Sequence, residues 1–158
     1  MSANISVDVR NASTAASVPD EAEILAWIRA VLASQVERGP VELSVLVVDE
    51  EEGRALNREW RGKDKATNVL SFGAGDETVG PPGGRPRCLG DIVVCAPLVE
   101  REAAAQGKVV ADHWAHLLVH GTLHLLGYDH ERDEDAREME ALERRILVAR
   151  GLGDPYAA

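Results

Sequence analysis

Three histidines, His120, His124 and His130, are the residues of this 158-residue chain whose type and spacing specify chemistry most directly. They stand in the run HGTLHLLGYDH, from His120 to His130. Positions four apart lie one above the other on a helix, so His120 and His124 can turn both imidazoles to one ion. Gly127 can take the left-handed backbone that ends a helix. The chain then turns back, and His130 supplies a third nitrogen. Three protein donors leave one position of a tetrahedral ion open, which is the arrangement of a catalytic zinc centre rather than a structural one. Imidazole also suits copper, nickel and iron, so the spacing predicts a transition metal, with zinc as the first choice.

The spacing resembles the metzincin pattern H-E-x-x-H-x-x-G-x-x-H with one departure. Gly121 stands where the peptidase keeps its general-base glutamate. Glycine can neither take a proton from water nor orient it, which counts against a metallopeptidase. His116 and His113 fall on or near the same helical face, as further donors or as supporting or substrate-facing groups. Asp129 either orients an imidazole or caps the helix that follows.

A second constellation lies upstream, in LNREWRGKDKATNVLSF from Leu56 to Phe72. Arg54, Arg58, Arg61, Lys63 and Lys65 cluster there, opposed locally by Glu59 and Asp64. Arg61 can grip a phosphate bidentately, and Arg58, Lys63 and Lys65 can add charge around it. Trp60 offers a stacking face to a base, although an aromatic at the end of an amphipathic helix more ordinarily enters the core. The formal net charge of −10 argues against general nucleic-acid binding, yet an acidic protein can present one basic face.

These elements need a frame. Ile5, Val7 and Val9 alternate as in a half-buried strand. Pro19-Asp20-Glu21 opens a helix with an apolar stripe of Ile24, Leu25, Ile28, Val31 and Leu32, stopped by Gly39-Pro40. Val41 to Val48 reads as a strand, and Asp49 with Glu52 as a capping box for a short helix to about Trp60. Asn68 to Phe72 and Leu89 to Cys95 are further strands, and Pro97 suits the first turn of a helix. Between them, Gly73 to Arg87 is too rich in Gly and Pro for a regular element and reads as a long mobile loop. Helices are expected over about Val109 to Leu126 and Asp133 to Arg150. Helices interleaved with three or four strands predict a single α+β domain over residues 1–158, a small mixed sheet packed by helices, with a zincin-like metal-binding helix. A hydrophobic fraction of 45% supports a real core. The opening residues carry no signal-peptide pattern and no apolar run approaches the roughly 20 residues that span a bilayer, so a soluble cytoplasmic protein without membrane association is expected. Cys88 and Cys95 are then expected to be reduced thiols.

The stretches Leu56 to Phe72, Leu89 to Ala96 (LGDIVVCA) and His113 to Met139, with its H-G-x-L-H-L-x-G-Y-D-H signature, resemble the YbeY family. Order and spacing agree over roughly residues 41 to 156. The resemblance implies a zinc-dependent, single-strand-specific endoribonuclease, active in 16S rRNA 3′-end maturation and ribosome quality control. It implies one Zn2+ held by His120, His124 and His130, and a functional arginine at Arg61. It also implies ribosomal proteins and ribosome-assembly GTPases as partners. Two departures, Ala66 and Gly73 in place of prolines, loosen the backbone near the basic segment. The proton acceptor stays open between the metal centre, His116 and a substrate phosphate oxygen, as does the nucleophile, water or a ribose 2′-hydroxyl. A non-catalytic reading, in which the metal only stabilises a ribosome-assembly factor, is the alternative from another class.

Overall fold

The computed structural model describes residues 5–35, 40–73, 87–129 and 131–156. Its elements run β1 (Ile5–Asn11), α1 (Glu21–Ala33), β2 (Val41–Val48), α2 (Glu50–Arg61), β3 (Val69–Gly73), β4 (Arg87–Cys95), α3 (Ala96–Gln106), α4 (Val110–Leu125) and α5 (Asp133–Ala149). The four strands form one mixed sheet in the order β1-β2-β4-β3, in which β1, β2 and β4 are parallel and β3 runs antiparallel to β4. The α+β expectation agrees with this arrangement.

The alternation along β4 shows how the sheet is covered on two sides. Ile92 and Val94 join Ile24, Ile28, Val45, Val47, Trp114 and Leu118 in one core. Val93 and Cys95 face the other way, where Val48, Leu56, Leu70 and Phe72 meet them. Each fully buried aliphatic side chain contributes about 1.5–3 kcal/mol. Helix α4 lies at the centre, packed on α1, α3, α5, β3 and β4. Cys95 is buried and Cys88 exposed, and both are free thiols. Among the described residues no helix is long and apolar enough to cross a membrane.

Several local expectations change. Asp49 precedes α2 but makes no side-chain cap; its carboxylate instead accepts from Ser13 Oγ at 2.5 Å and Thr14 Oγ1 at 3.1 Å, tying the segment after β1 to the end of β2. Helix α1 stops at Ala33, before Gly39-Pro40, because Ser34 turns its hydroxyl back to the Val31 carbonyl at 2.6 Å. Gly39 lies outside the described residues. So do residues 74–86 of the Gly- and Pro-rich segment, while Gly73 and Arg87 at its ends belong to strands.

Where β3 enters, the register of β2 on β4 shifts, from Glu42↔Cys88 to Leu43↔Gly90, leaving Leu89 as the extra residue of a bulge. Gly90 has φ +131, and a Cβ there would sit 2.1 Å from the Phe72 carbonyl oxygen. Only glycine lets β3 lie this close. Gly90→Ala should therefore lower unfolding free energy by about 2–4 kcal/mol in urea titration. An unchanged midpoint would contradict this account of the bulge.

Candidate metal centre

Helix α4 carries His113, His116, His120 and His124 at spacings of three, four and four, so the imidazoles form one stripe. Successive ring centroids are 6.4, 6.3 and 4.6 Å apart. The buried residues Trp114, Leu118 and Leu123 hold the helix in the core beneath them. At its end Gly127 takes φ +102, and the Tyr128 N–H donates to the Leu123 carbonyl at 3.1 Å, closing the last turn as expected.

Behind this stripe sits Glu143 of α5, with none of its side chain exposed. His120 Nδ1–H donates to Glu143 Oε1 at 2.9 Å, and His116 Nε2–H donates to Glu143 Oε2 at 2.7 Å. The Tyr156 hydroxyl donates to the same Oε2 at 2.6 Å. Burial pushes this carboxyl up and is the largest single influence. The hydrogen bonds from His116, His120 and Tyr156, with the charge of His120, together outweigh it and bring the pKa to about 2. The carboxylate is thus ionised at neutral pH. Its bond orients the His120 ring through Nδ1, so that Nε2 is the nitrogen a metal would use. Burial, and then the bond to Glu143, hold the Tyr156 phenol well above its ordinary range. His113 belongs to a separate, partly buried pair: it bonds Glu102 Oε1 at 2.9 Å, which also accepts from Asn68 Nδ2 at 2.9 Å.

His120 and His124 line a cavity of about 740 Å³ together with Arg61, Lys63, Lys65 and Ser71. Asp129 and Glu131 line it too. His130 itself lies outside the described residues. Among the described residues no group of three metal-type donors is present. Two imidazoles one turn apart, one of them backed by a buried carboxylate, fit a zinc-class ion. Asp129 Oδ1 accepts from the Glu131 N–H at 3.3 Å, across position 130, and does not cap α5, which starts after Arg132.

The basic wall is built from the end of α2 and the segment leading to β3. Arg61 donates from Nη2 to the Ser71 carbonyl and lies over the Phe72 ring, 5.3 Å from its centroid. Ser71 Oγ in turn donates to the Gly121 carbonyl at 3.1 Å, so β3 joins Arg61 to the helix turn that holds His120. Buried Asn57 donates to the Lys65 carbonyl at 2.8 Å and pins the segment that Ala66 would otherwise leave loose. Arg54 pairs with Asp64 at 2.8 Å and Arg58 approaches the same carboxylate at 3.7 Å. Arg58 is not among the residues lining the cavity. His116 is not either; it faces a smaller neighbouring cavity. Trp60 is 65% exposed and rests edge-on against Phe72, so the core expectation for it is corrected: the last turn of α2 points it outward.

Gly121 has a positive structural reason. A Cβ there would lie 3.1 Å from Ile92 Cγ2 and 3.4 Å from Val69 Cγ2, so a larger residue would press on the side chains of the sheet. Glu143 and Tyr156 were not singled out from the sequence. The signal for Glu143 was its place among Met139, Ile146 and Leu147 on the buried stripe of α5, where an acid requires buried partners.

The endoribonuclease YbeY family model matches residues 8–151. Endoribonuclease YbeY of Halorhodospira halophila is 57% identical over 141 residues, covering 89% of this chain and 90% of the relative. That of Stutzerimonas stutzeri is 54% identical over 155 residues, covering 97% and 92%. The solution structure of TM1509 from Thermotoga maritima is similar with a TM-score of 0.57 and 25% identity, over 98% of this chain and 99% of that one. With the histidine stripe, the basic wall and these matches together, the chain belongs to the endoribonuclease YbeY family.

Proposed function

We propose that this protein is a zinc-dependent endoribonuclease specific for single strands, acting in the cytoplasm in 16S rRNA 3′-end maturation and ribosome quality control. The observation that carries the reading is one cavity lined by His120 and His124 and by Arg61, Lys63 and Lys65. Metal-type donors and phosphate-type donors face the same space. Family membership supports the nuclease chemistry. The rRNA substrate, ribosomal-protein partners and ribosome-assembly GTPases rest on the family resemblance, and the net charge of −10 suits docking to a basic partner protein.

His120, His124 and His130 would hold the ion. When bound, it supplies Lewis acidity toward a phosphoryl oxygen and activation of water. Glu143 orients the His120 ring. His116 shares that carboxylate, and we assign it to holding the network. Arg61 is organised in advance by Ser71 and Phe72, and uses one of its five N–H donors there. The remaining donors can meet charge building on the phosphoryl oxygens. Lys63 and Lys65 draw the flanking phosphates by charge, and exposed Trp60 offers a face to an unstacked base, which a duplex does not present. Gly121, packed against Ile92 and Val69, supplies no peptidase base, which disfavours protein as substrate.

Cleavage of single-stranded RNA should be lost on chelation and return with zinc, with duplex RNA resistant. Arg61→Ala should lower kcat/KM by about 100-fold while zinc content stays the same. Cleavage that survives both treatments would sink the metallonuclease reading, and cleavage that separates from the protein on purification would leave the non-catalytic assembly factor. Glu143→Gln keeps the shape but replaces an accepting oxygen with a donor, so zinc affinity by chelator competition should fall about 10–100-fold. Wild-type affinity in that variant would contradict the role given to Glu143.

A further inference from the structure

A second cavity, of about 350 Å³, opens on the other side of His120, between the end of α3 and the C-terminal turn. It shares His120, Asn68 and Val69 with the larger cavity, so the two meet at the candidate metal centre. We infer that this second cavity is a nucleoside subsite, for the residue on the side of the scissile phosphate away from Arg61, Lys63 and Lys65. The inference rests on the endoribonuclease reading. An enzyme that cuts inside a chain has a nucleoside on each side of the bond, and one basic cavity accounts for only one of them.

The chemistry of the walls selects a nucleoside over a bare phosphate. Val69, Leu117, Pro155 and the Tyr156 ring give apolar and aromatic faces, the surface on which a base stacks. The volume lies in the range of small-molecule pockets. Lys108 is the one lysine or arginine among the lining residues, beside His113, His116 and His120, and its Nζ already donates to the Pro155 carbonyl at 3.2 Å. Glu102 adds negative charge, which repels an anion, and its Oε1 is held by Asn68 and His113. Exposed Gln106 stands with donor and acceptor groups suited to a base edge.

The walls are also fixed in place. Arg144 Nε donates to Asp154 Oδ2 at 2.7 Å, and the Tyr156 N–H donates to Asp154 Oδ1 at 2.8 Å. With the bond from Tyr156 to Glu143, these contacts hold the C-terminal turn against α4 and α5. A pocket set before binding loses little to ordering when a base enters.

The test is an NMR titration of the zinc-loaded full chain with uridine and adenosine, which carry no phosphate. Shifts at the Leu117 methyls and the Tyr156 ring that saturate are expected. Gln106→Trp places an indole at the mouth from an exposed position at the end of α3. It should abolish those shifts and raise KM for a single-stranded oligoribonucleotide about tenfold, the order that one stacked base contributes. Shifts confined to the Arg61 side, or no shifts, would overturn the subsite, as would a wild-type KM in Gln106→Trp. Nucleoside binding by a protein that cleaves no RNA would uphold the subsite and refute the nuclease reading instead. RNA cleavage without a response at Leu117 would do the reverse.

Discussion

A carboxylate with no exposure, shared by donors from two helical histidines and a tail tyrosine, is the constraint on which the rest of the site depends. Burying the charge of Glu143 alone would cost several kcal/mol. His116, His120 and Tyr156 offset that cost and by doing so fix three things at once: the seating of α5 on α4, the path of the C-terminal turn, and the orientation of the His120 ring. Without this acid, His116 and His120 would lose the acceptor that orients their rings.

The sheet sets the other boundary. Gly121 lets α4 approach β3 and β4 until its carbonyl meets Ser71 Oγ, and the Ser71 carbonyl takes the Arg61 guanidinium. The Arg61 guanidinium is therefore tied to the histidine helix through Ser71 of β3. Gly90 allows the same closeness one strand further on, because any Cβ there would collide with the Phe72 carbonyl. Two glycines thus place β3, and β3 places Arg61.

Much of this frame was legible in the sequence because helix periodicity and turn chemistry are local. The pairing of His120 with His124, the turn at Gly127, Pro97 at the start of α3 and the apolar stripe of α1 all depend on residues within a few positions of each other. What was hidden depends on distant partners. Asp49 looked like a helix cap until Ser13 and Thr14, more than thirty positions away, claimed its carboxylate. Arg58 counted as part of a basic run, yet Asp64 shares its charge with Arg54. Glu143 was one acid among many in an acidic helix, and only its place between Met139 and Ile146 separated it from solvent-facing neighbours. The strand order and the bulge at Leu89 come from long-range pairing, which no short window contains.

The central claim is that the imidazoles of α4 and of the turn after it form one metal centre. X-ray absorption at the zinc edge of the purified protein tests it most directly. The account predicts outer-shell scattering from three imidazoles with a light-atom ligand completing the set. Sulfur in the coordination sphere, or an absence of imidazole scattering, would contradict it.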